Sequence, residues 1–95
     1  IKDYYKSLMI DDIENLKKRL IYRSQYRGTK EMDKLIGSFV RSNIDIFDLS
    51  QLKELEKLLN IDDDSLYKLY NNQINKINSI NDDIIKLFKD YIYKK

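Results

Sequence analysis

The sequence predicts an all-α fold, a small antiparallel bundle of about five helices. Three observations support this fold class. Apolar residues recur at three- and four-residue spacing along most of the chain, no segment alternates strictly over the length of a strand, and short polar links separate the periodic segments. The chain has 95 residues, so we expect residues 1–95 to form one monomeric helical domain with flexible ends at 1–8 and 93–95.

The first predicted helix lies in the segment DDIENLKKRLIYRSQ. Asp11 and Glu14 have the spacing of a capping box there, which predicts a helix start at Asp11. The apolar stripe of this helix consists of Ile13, Leu16 and Leu20.

Four further periodic segments follow, and Ser50 is the predicted N-cap of the third helix. Their apolar positions are Met32, Leu35, Ile36, Phe39 and Val40; then Leu52, Leu55, Leu58 and Leu59; then Leu66, Leu69 and Tyr70; and last Ile84, Ile85, Leu87, Phe88, Tyr91 and Ile92. The segment NIDIFDL, residues 43–49, is too short and acidic for a strand and is predicted to be a connector. The predicted core contains Leu20, Leu35, Phe39, Leu55, Leu59, Leu66 and Phe88.

Composition narrows the possible functions. The chain has no cysteine and no histidine, which removes thiolate chemistry, the commonest general base and the commonest zinc ligand. The remaining polar residues form no recognisable catalytic constellation, so we do not expect an enzyme. The net charge of +2 is too balanced to indicate nucleic acid, and no apolar run predicts insertion into a membrane.

Runs of aspartate invite a metal-site interpretation. The runs are Asp62, Asp63 and Asp64, and then Asp82 and Asp83. A calcium loop needs alternating ligands, a central glycine and a final glutamate, and neither run has them. Each run stands at a predicted helix start, where carboxylates cap amides and meet the positive end of the helix dipole, so we interpret both as caps and expect no metal.

Basic and aromatic residues are interleaved near the end of the first predicted helix. Lys18 and Arg19 belong to the solvated face. Arg23 and Arg27 instead continue the apolar stripe from Leu20, at i+3 and i+7. Arginines in such positions either pair inside the protein or are presented to a partner.

Gly28 is one of only two glycines and stands between two helical patterns. It can take a positive φ and end a helix, or let the chain turn tightly. In the simplest interpretation Arg27 caps the first helix, Gly28 turns the chain, and Glu31 lies in the first turn of the second helix after Thr29 caps it. The alternative is a recognition patch, in which the bare glycine lets a partner's backbone approach closely.

The segment RLIYRSQYRGTKEMDKLIGSFV resembles the signature of the SdhE family of succinate dehydrogenase assembly factors and their mitochondrial counterpart, assembly factor two. The Arg-Gly-x-x-Glu motif of that family is matched by Arg27, Gly28 and Glu31. LLNIDDDSLYKL and DIIKLFKDYI resemble its later segments, so the resemblance runs over most of residues 19–92. Tyr26 stands where the family often has a basic residue.

The resemblance implies a non-catalytic bundle that binds the flavoprotein subunit of succinate dehydrogenase, and in some bacteria that of fumarate reductase. It implies that the factor promotes covalent attachment of FAD to a histidine of that subunit, and that the cofactor belongs to the client, not to this chain. Arg27 and Glu31 would be polar anchors and Gly28 the point of close approach, with Tyr22, Arg23 and Tyr26 as neighbouring contacts. The implied location is bacterial cytoplasm or mitochondrial matrix.

Two alternatives stay open from the residues themselves. A nucleic-acid-binding helical domain would show binding that weakens with salt. A generic helical interaction or antitoxin-like module would not co-purify with a flavoprotein.

Overall fold

The computed structural model describes the backbone of residues 2–91 and the side chains of residues 11–91. Its helices are α1 (Lys2–Gln25), α2 (Lys30–Asn43), α3 (Leu49–Leu59), α4 (Asp63–Tyr70) and α5 (Asp82–Asp90). The described part of the chain contains no strand. The predicted all-α bundle of five helices is therefore confirmed. Residues 93–95 and Ile92 lie outside the described range, and flexibility at the two ends stays a prediction.

Two predicted helix starts are wrong. The first helix begins at Lys2, so Asp11 lies inside it and does not cap it. Helix α3 begins at Leu49, and its N-cap is Asp48 rather than Ser50. The Asp48 carboxylate accepts from the Gln51 N–H at 2.8 Å, while the Gln51 side chain accepts from the Asp48 N–H at 2.9 Å. This capping box satisfies two amides at once, which a cap at Ser50 would not do.

The seven residues predicted for the core are all buried, and most of the other predicted apolar positions join them. Phe39 of α2 meets Phe88 of α5 edge-on, with ring centroids 5.2 Å apart. Leu87 is the exception in the last helix, because 42% of its surface is exposed. Tyr70 and Tyr91 are half-buried, and the Tyr70 hydroxyl donates to the Tyr91 carbonyl.

Helix α1 packs against both α2 and α3. A short corner, residues 26–29, reverses the chain between α1 and α2. Side-chain pairs between α1 and the α3–α4 region advance together along both segments, from Arg19 with Glu56 to Arg27 with Asp63. Helices α1 and α3 are thus parallel, as an up-down-up order requires. This arrangement brings the α1–α2 corner beside the α3–α4 corner.

The connection from α4 to α5, residues 71–81, begins with a helix-ending turn and contributes one side chain to the core. Asn72 has φ 61°, and it is the one non-glycine residue of the described backbone with a positive φ. The N–H of Gln73 bonds to the Lys68 carbonyl at 2.8 Å and that of Asn72 to the Leu69 carbonyl at 3.2 Å, which is a Schellman ending of α4. After it, Ile80 is buried in the core.

None of the described helices combines the length and apolar character needed to cross a membrane.

Candidate functional site

The candidate site is built around the corner between α1 and α2. Thr29 is the N-cap of α2, as predicted, and its hydroxyl accepts from the Met32 N–H at 3.2 Å. One turn further, the Asp33 carboxylate accepts from the Arg27 N–H at 2.5 Å. The corner is therefore held from within α2, and this orients the side chain of Arg27 and the backbone of Gly28.

The guanidinium of Arg27 is directed into the protein. Its Nε donates to Asp63 Oδ1 at 2.7 Å, its Nη1 donates to the Leu59 carbonyl at 2.7 Å, and its Nη2 donates to the Ile61 carbonyl. Only 8% of the Arg27 side chain is exposed, against 23% of Asp63. One arginine thus joins the α1–α2 corner to the end of α3 and to the first residue of α4.

This geometry decides between interpretations that the sequence left open. Arg27 pairs internally. It does not cap α1, which ends at Gln25; it supplies donors at the carboxyl end of α3, where the helix leaves carbonyls unpaired and favours a cation. A direct contact between Arg27 and a partner stays a prediction, and such a partner would meet a side chain already bonded on three nitrogens.

Gly28 does not use the conformational freedom that the sequence suggested, because no described glycine has a positive φ. Space is what this glycine provides. A Cβ atom at Gly28 would lie 3.1 Å from Asp63 Oδ2, which is closer than carbon and oxygen normally approach. Asp63 therefore touches both halves of the Arg27–Gly28 pair: one carboxylate oxygen binds the guanidinium and the other lies over the glycine.

Two further arginines of α1 pair with the α3 side of the site. Arg23 donates to Asn60 Oδ1, and its guanidinium lies 3.9 Å from Glu56. Arg19 donates to the same Glu56 carboxylate at 2.7 Å. The sequence placed Arg19 on the solvated face; its side chain is 55% exposed, but the ion pair to Glu56 was not predicted. Lys18 is exposed, as predicted.

Tyr22 and Tyr26 form an exposed aromatic pair beside the arginines. They are 67% and 74% exposed, and their ring centroids lie 5.3 Å apart at an interplanar angle of 51°. With Arg23 and Arg27 they line a groove of about 400 Å³, whose far wall is the backbone turn at residues 59–61. Four of the six predicted site residues thus meet at one surface, which we call the tyrosine groove.

Glu31 lies on the other side of the corner, in the first turn of α2. Its side chain is exposed and makes no hydrogen bond or ion pair with residues 11–91. It lines a groove of about 470 Å³ between α2 and α4, which we call the glutamate groove and which Met32, Tyr67 and Tyr70 share. Tyr67 is 51% exposed. Sequence reasoning did not single out Tyr67, because its spacing gave no sign of which helix it would face.

The acidic run before α4 contains three residues with three different roles. Asp62 is the N-cap: the N–H of Ser65 and then the hydroxyl of Ser65 stabilise its ionised form, so its pKa lies below the ordinary value of 3.8. Asp63 binds Arg27, and Asp64 pairs on the surface with Lys68 at 3.0 Å. Capping is confirmed for Asp62, whereas the second run follows a cap at Asn81. Within residues 11–91 no cluster of three acidic side chains is arranged to hold a metal ion.

The amino-acid sequence that forms this site matches one known protein family. A sequence model of the family described as "Flavinator of succinate dehydrogenase" matches residues 18–92. "Succinate dehydrogenase assembly factor 2, mitochondrial" of Dictyostelium discoideum is 32% identical over 82 residues, which are 86% of this chain and 58% of that protein. "FAD assembly factor SdhE" of Acetobacter pasteurianus is 38% identical over 56 residues, which are 59% of this chain and 51% of that protein.

The chain spans about half the length of these two relatives. No solved structure matches it. The matched range contains the whole candidate site, from Arg19 to Tyr70, and includes the Arg27, Gly28 and Glu31 motif.

Proposed function

This chain belongs to the family of succinate dehydrogenase flavinators, and we propose that it binds the flavoprotein subunit of succinate dehydrogenase and promotes covalent attachment of FAD to it. The names of the relatives support the proposal, since one is a succinate dehydrogenase assembly factor and another a FAD assembly factor. The observation that carries it is the surface at the α1–α2 corner. There an exposed aromatic pair and an exposed carboxylate flank a buried arginine clamp.

The proposed mechanism needs no catalytic group from this chain. With no histidine and no cysteine, the chain offers neither the acceptor for the flavin nor the commonest proton-transfer residue. A factor that binds one conformation of its client more tightly than the others raises the population of that conformation. If the flavin and its acceptor are close in that conformation, the client's own groups complete the bond faster.

The residues at the α1–α2 corner have different roles in binding the client. Tyr22 and Tyr26 supply exposed aromatic area beside Arg23, the kind of surface that contributes most to protein interfaces. Glu31 supplies a carboxylate that has no partner among residues 11–91 and is therefore available for a basic group of the client. Arg27 and Gly28 hold the two grooves in place, and any client contact at these two positions adds to that role.

We place FAD in the client, and this chain acts as a monomer on one client subunit. The flavoprotein subunit of fumarate reductase is a second client where that enzyme exists. Covalent attachment of FAD takes place where the client receives its flavin, in the cytoplasm of a bacterium or in the mitochondrial matrix. Free FAD should therefore give no measurable complex with the isolated chain, while the flavoprotein subunit captures it about one to one.

The test measures covalent flavin by in-gel fluorescence of the denatured flavoprotein subunit, produced with each variant. The variants Y22A/Y26A and E31A change exposed side chains, so they should fold normally and reduce the fluorescent fraction, each by roughly tenfold or more. Ile46→Ala is the matched control, because Ile46 is 75% exposed but follows the opposite end of α2.

Equal fluorescence with wild-type factor, with either variant and with no factor would show that this chain does not promote flavinylation. Full fluorescence with both variants, but none without the factor, would place the client surface elsewhere on the bundle.

A further inference from the structure

Asp63 binds the guanidinium of Arg27 and also lies over Gly28. Its Oδ1 accepts from Arg27 Nε at 2.7 Å, and its Oδ2 lies 3.1 Å from the position that a Cβ of residue 28 would occupy. The carboxylate is three-quarters buried, and its ion pair with the still more buried Arg27 opposes any shift away from residue 28. The pair of motif residues is therefore shaped to receive an aspartate of the same chain.

We infer that Asp63 is a positioning residue of the client surface, and that Arg27 and Gly28 serve client binding mainly by holding Asp63. The inference rests on the proposed function for its client and goes beyond it in assigning a role to Asp63. In this interpretation Asp63 is the internal partner of the Arg-Gly-x-x-Glu motif. Arg27 supplies the cation for one oxygen of the Asp63 carboxylate, and Gly28 leaves space for the other oxygen.

The position of Asp63 in the fold explains how it would affect both grooves. Asp63 is the first residue of α4, and Tyr67 lies one turn further on the same side of that helix. Tyr67 shares the glutamate groove with Glu31. On the other side, the guanidinium that Asp63 holds also binds the carbonyls of Leu59 and Ile61, which line the tyrosine groove. A shift of Asp63 therefore changes the spacing between the two grooves.

The competing explanation is that Gly28 is bare because the client backbone approaches it. A double-mutant cycle separates the two, because it asks whether the cost of a methyl group at residue 28 depends on the side chain at residue 63. The variants are G28A, D63A and G28A/D63A, and the measurements are the Tm and the dissociation constant for the flavoprotein subunit, taken well below each Tm.

We expect Gly28→Ala to lower the Tm by roughly 4–8 °C in the wild-type background and by less than about 2 °C in the D63A background. Client binding should weaken about tenfold in the wild-type background and no more than about twofold in the D63A background. Asp63→Asn keeps the volume of the carboxylate, so in that background Gly28→Ala should still lower the Tm and the affinity. If D63A does not fold, Asp63→Ser takes its place, because its single short hydroxyl also leaves the space over Gly28 empty.

Two matched controls are available in the chain. Asp64→Ala removes the neighbouring carboxylate, which is exposed and pairs with Lys68, so it should leave the Tm and the client affinity nearly unchanged. Gly37→Ala adds a methyl group 3.1 Å from the end of the exposed side chain of Arg41, which can move. It should therefore be neutral or raise the Tm, since alanine favours a helix more than glycine does.

An equal loss of client affinity on Gly28→Ala in the wild-type and D63A backgrounds would overturn the inference and favour direct approach of the client. So would a fall in Tm with unchanged client affinity, because Asp63 would then be structural only. If the wild-type chain does not bind the flavoprotein at all, the proposed function fails and the positioning role fails with it. The Tm cycle then still tells whether Gly28 accommodates Asp63.

Discussion

Arg19 and Arg27 make ion pairs of the same length with carboxylates of the α3–α4 region, but in different surroundings. Each guanidinium lies 2.7 Å from its partner, yet 55% of the Arg19 side chain is exposed and only 8% of Arg27. Water screens the first pair and competes for its hydrogen bonds. The second pair is largely desolvated, so removing Arg27 leaves a charge and two carbonyls that must find new partners. Distance alone therefore does not reveal which arginine the fold depends on.

The largest expected effect belongs to Arg27→Ala. It leaves Asp63 without its cation and removes the donors to the carbonyls of Leu59 and Ile61. The free energy of unfolding should fall by about 2–4 kcal/mol, toward the lower end because Asp63 keeps some contact with water. Thermal unfolding followed by far-ultraviolet circular dichroism measures this. A Tm within about 2 °C of wild type would show that the clamp contributes little.

A conservative variant sharpens that result. Arg27→Lys keeps the positive charge but loses the planar fork that reaches three acceptors at once. We expect a loss of stability between that of wild type and that of R27A. Stability equal to wild type would mean that charge alone matters at this position and that the carbonyl contacts do not.

Arg19→Ala should have a much smaller effect, because its pair with Glu56 is mostly exposed. The expected loss is about 0.2–1 kcal/mol at low ionic strength, and it should shrink at high salt as the charges are screened. Chemical denaturation at two salt concentrations measures it, and Lys18→Ala on the same helix is the control for the change in helix propensity. A loss as large as that of R27A would contradict the distinction drawn between the two pairs.

The smallest effect at neutral pH is expected for Asp62→Asn. Asparagine caps a helix as well as aspartate does, so the variant should be as stable as wild type at about pH 7. Because the folded pKa of Asp62 is depressed, its ionised form adds stability above the ordinary pKa of 3.8, and this is lost as the pH falls through the folded pKa. The variant should lose less stability than wild type below about pH 4. Identical acid unfolding curves would contradict the prediction.

A second carboxylate, in α3 beside the start of α5, contributes to the same acid sensitivity. Glu54 accepts from the Asn81 N–H at 2.9 Å and from Lys57 at 2.9 Å, and the backbone bond to Asn81 is the main reason that its pKa lies below the ordinary value of 4.5. Stability therefore remains pH-dependent in D62N, and the difference between the two proteins, not the whole acid transition, reports Asp62.

The helices and the core could be predicted because their signals are local. Apolar spacing identified the buried faces of α2 and α3, and Thr29 was recognisable as a cap from its position before an acidic first turn. The cap of α3 was predicted wrongly, because several residues near its start can cap and the choice depends on which bonds form together. The start of α1 was also predicted wrongly, because a capping-box spacing such as that of Asp11 and Glu14 also occurs inside a helix. In α3 it was Asp48 with Gln51 that satisfied two amides.

The helical bundle and its Arg-Gly-x-x-Glu corner could be predicted without a structure, because apolar period, glycine and motif are all local features of the chain. The separate roles of Asp62, Asp63 and Asp64 became visible only in the packed molecule, where one caps α4, one binds Arg27 over Gly28, and one meets Lys68 at the surface. No local pattern could show these roles, because Arg27 and Asp63 are 36 positions apart. Their pairing depends on how α1 and α3 pack, and three identical neighbours acquire different environments because a helix turns each of them toward a different side.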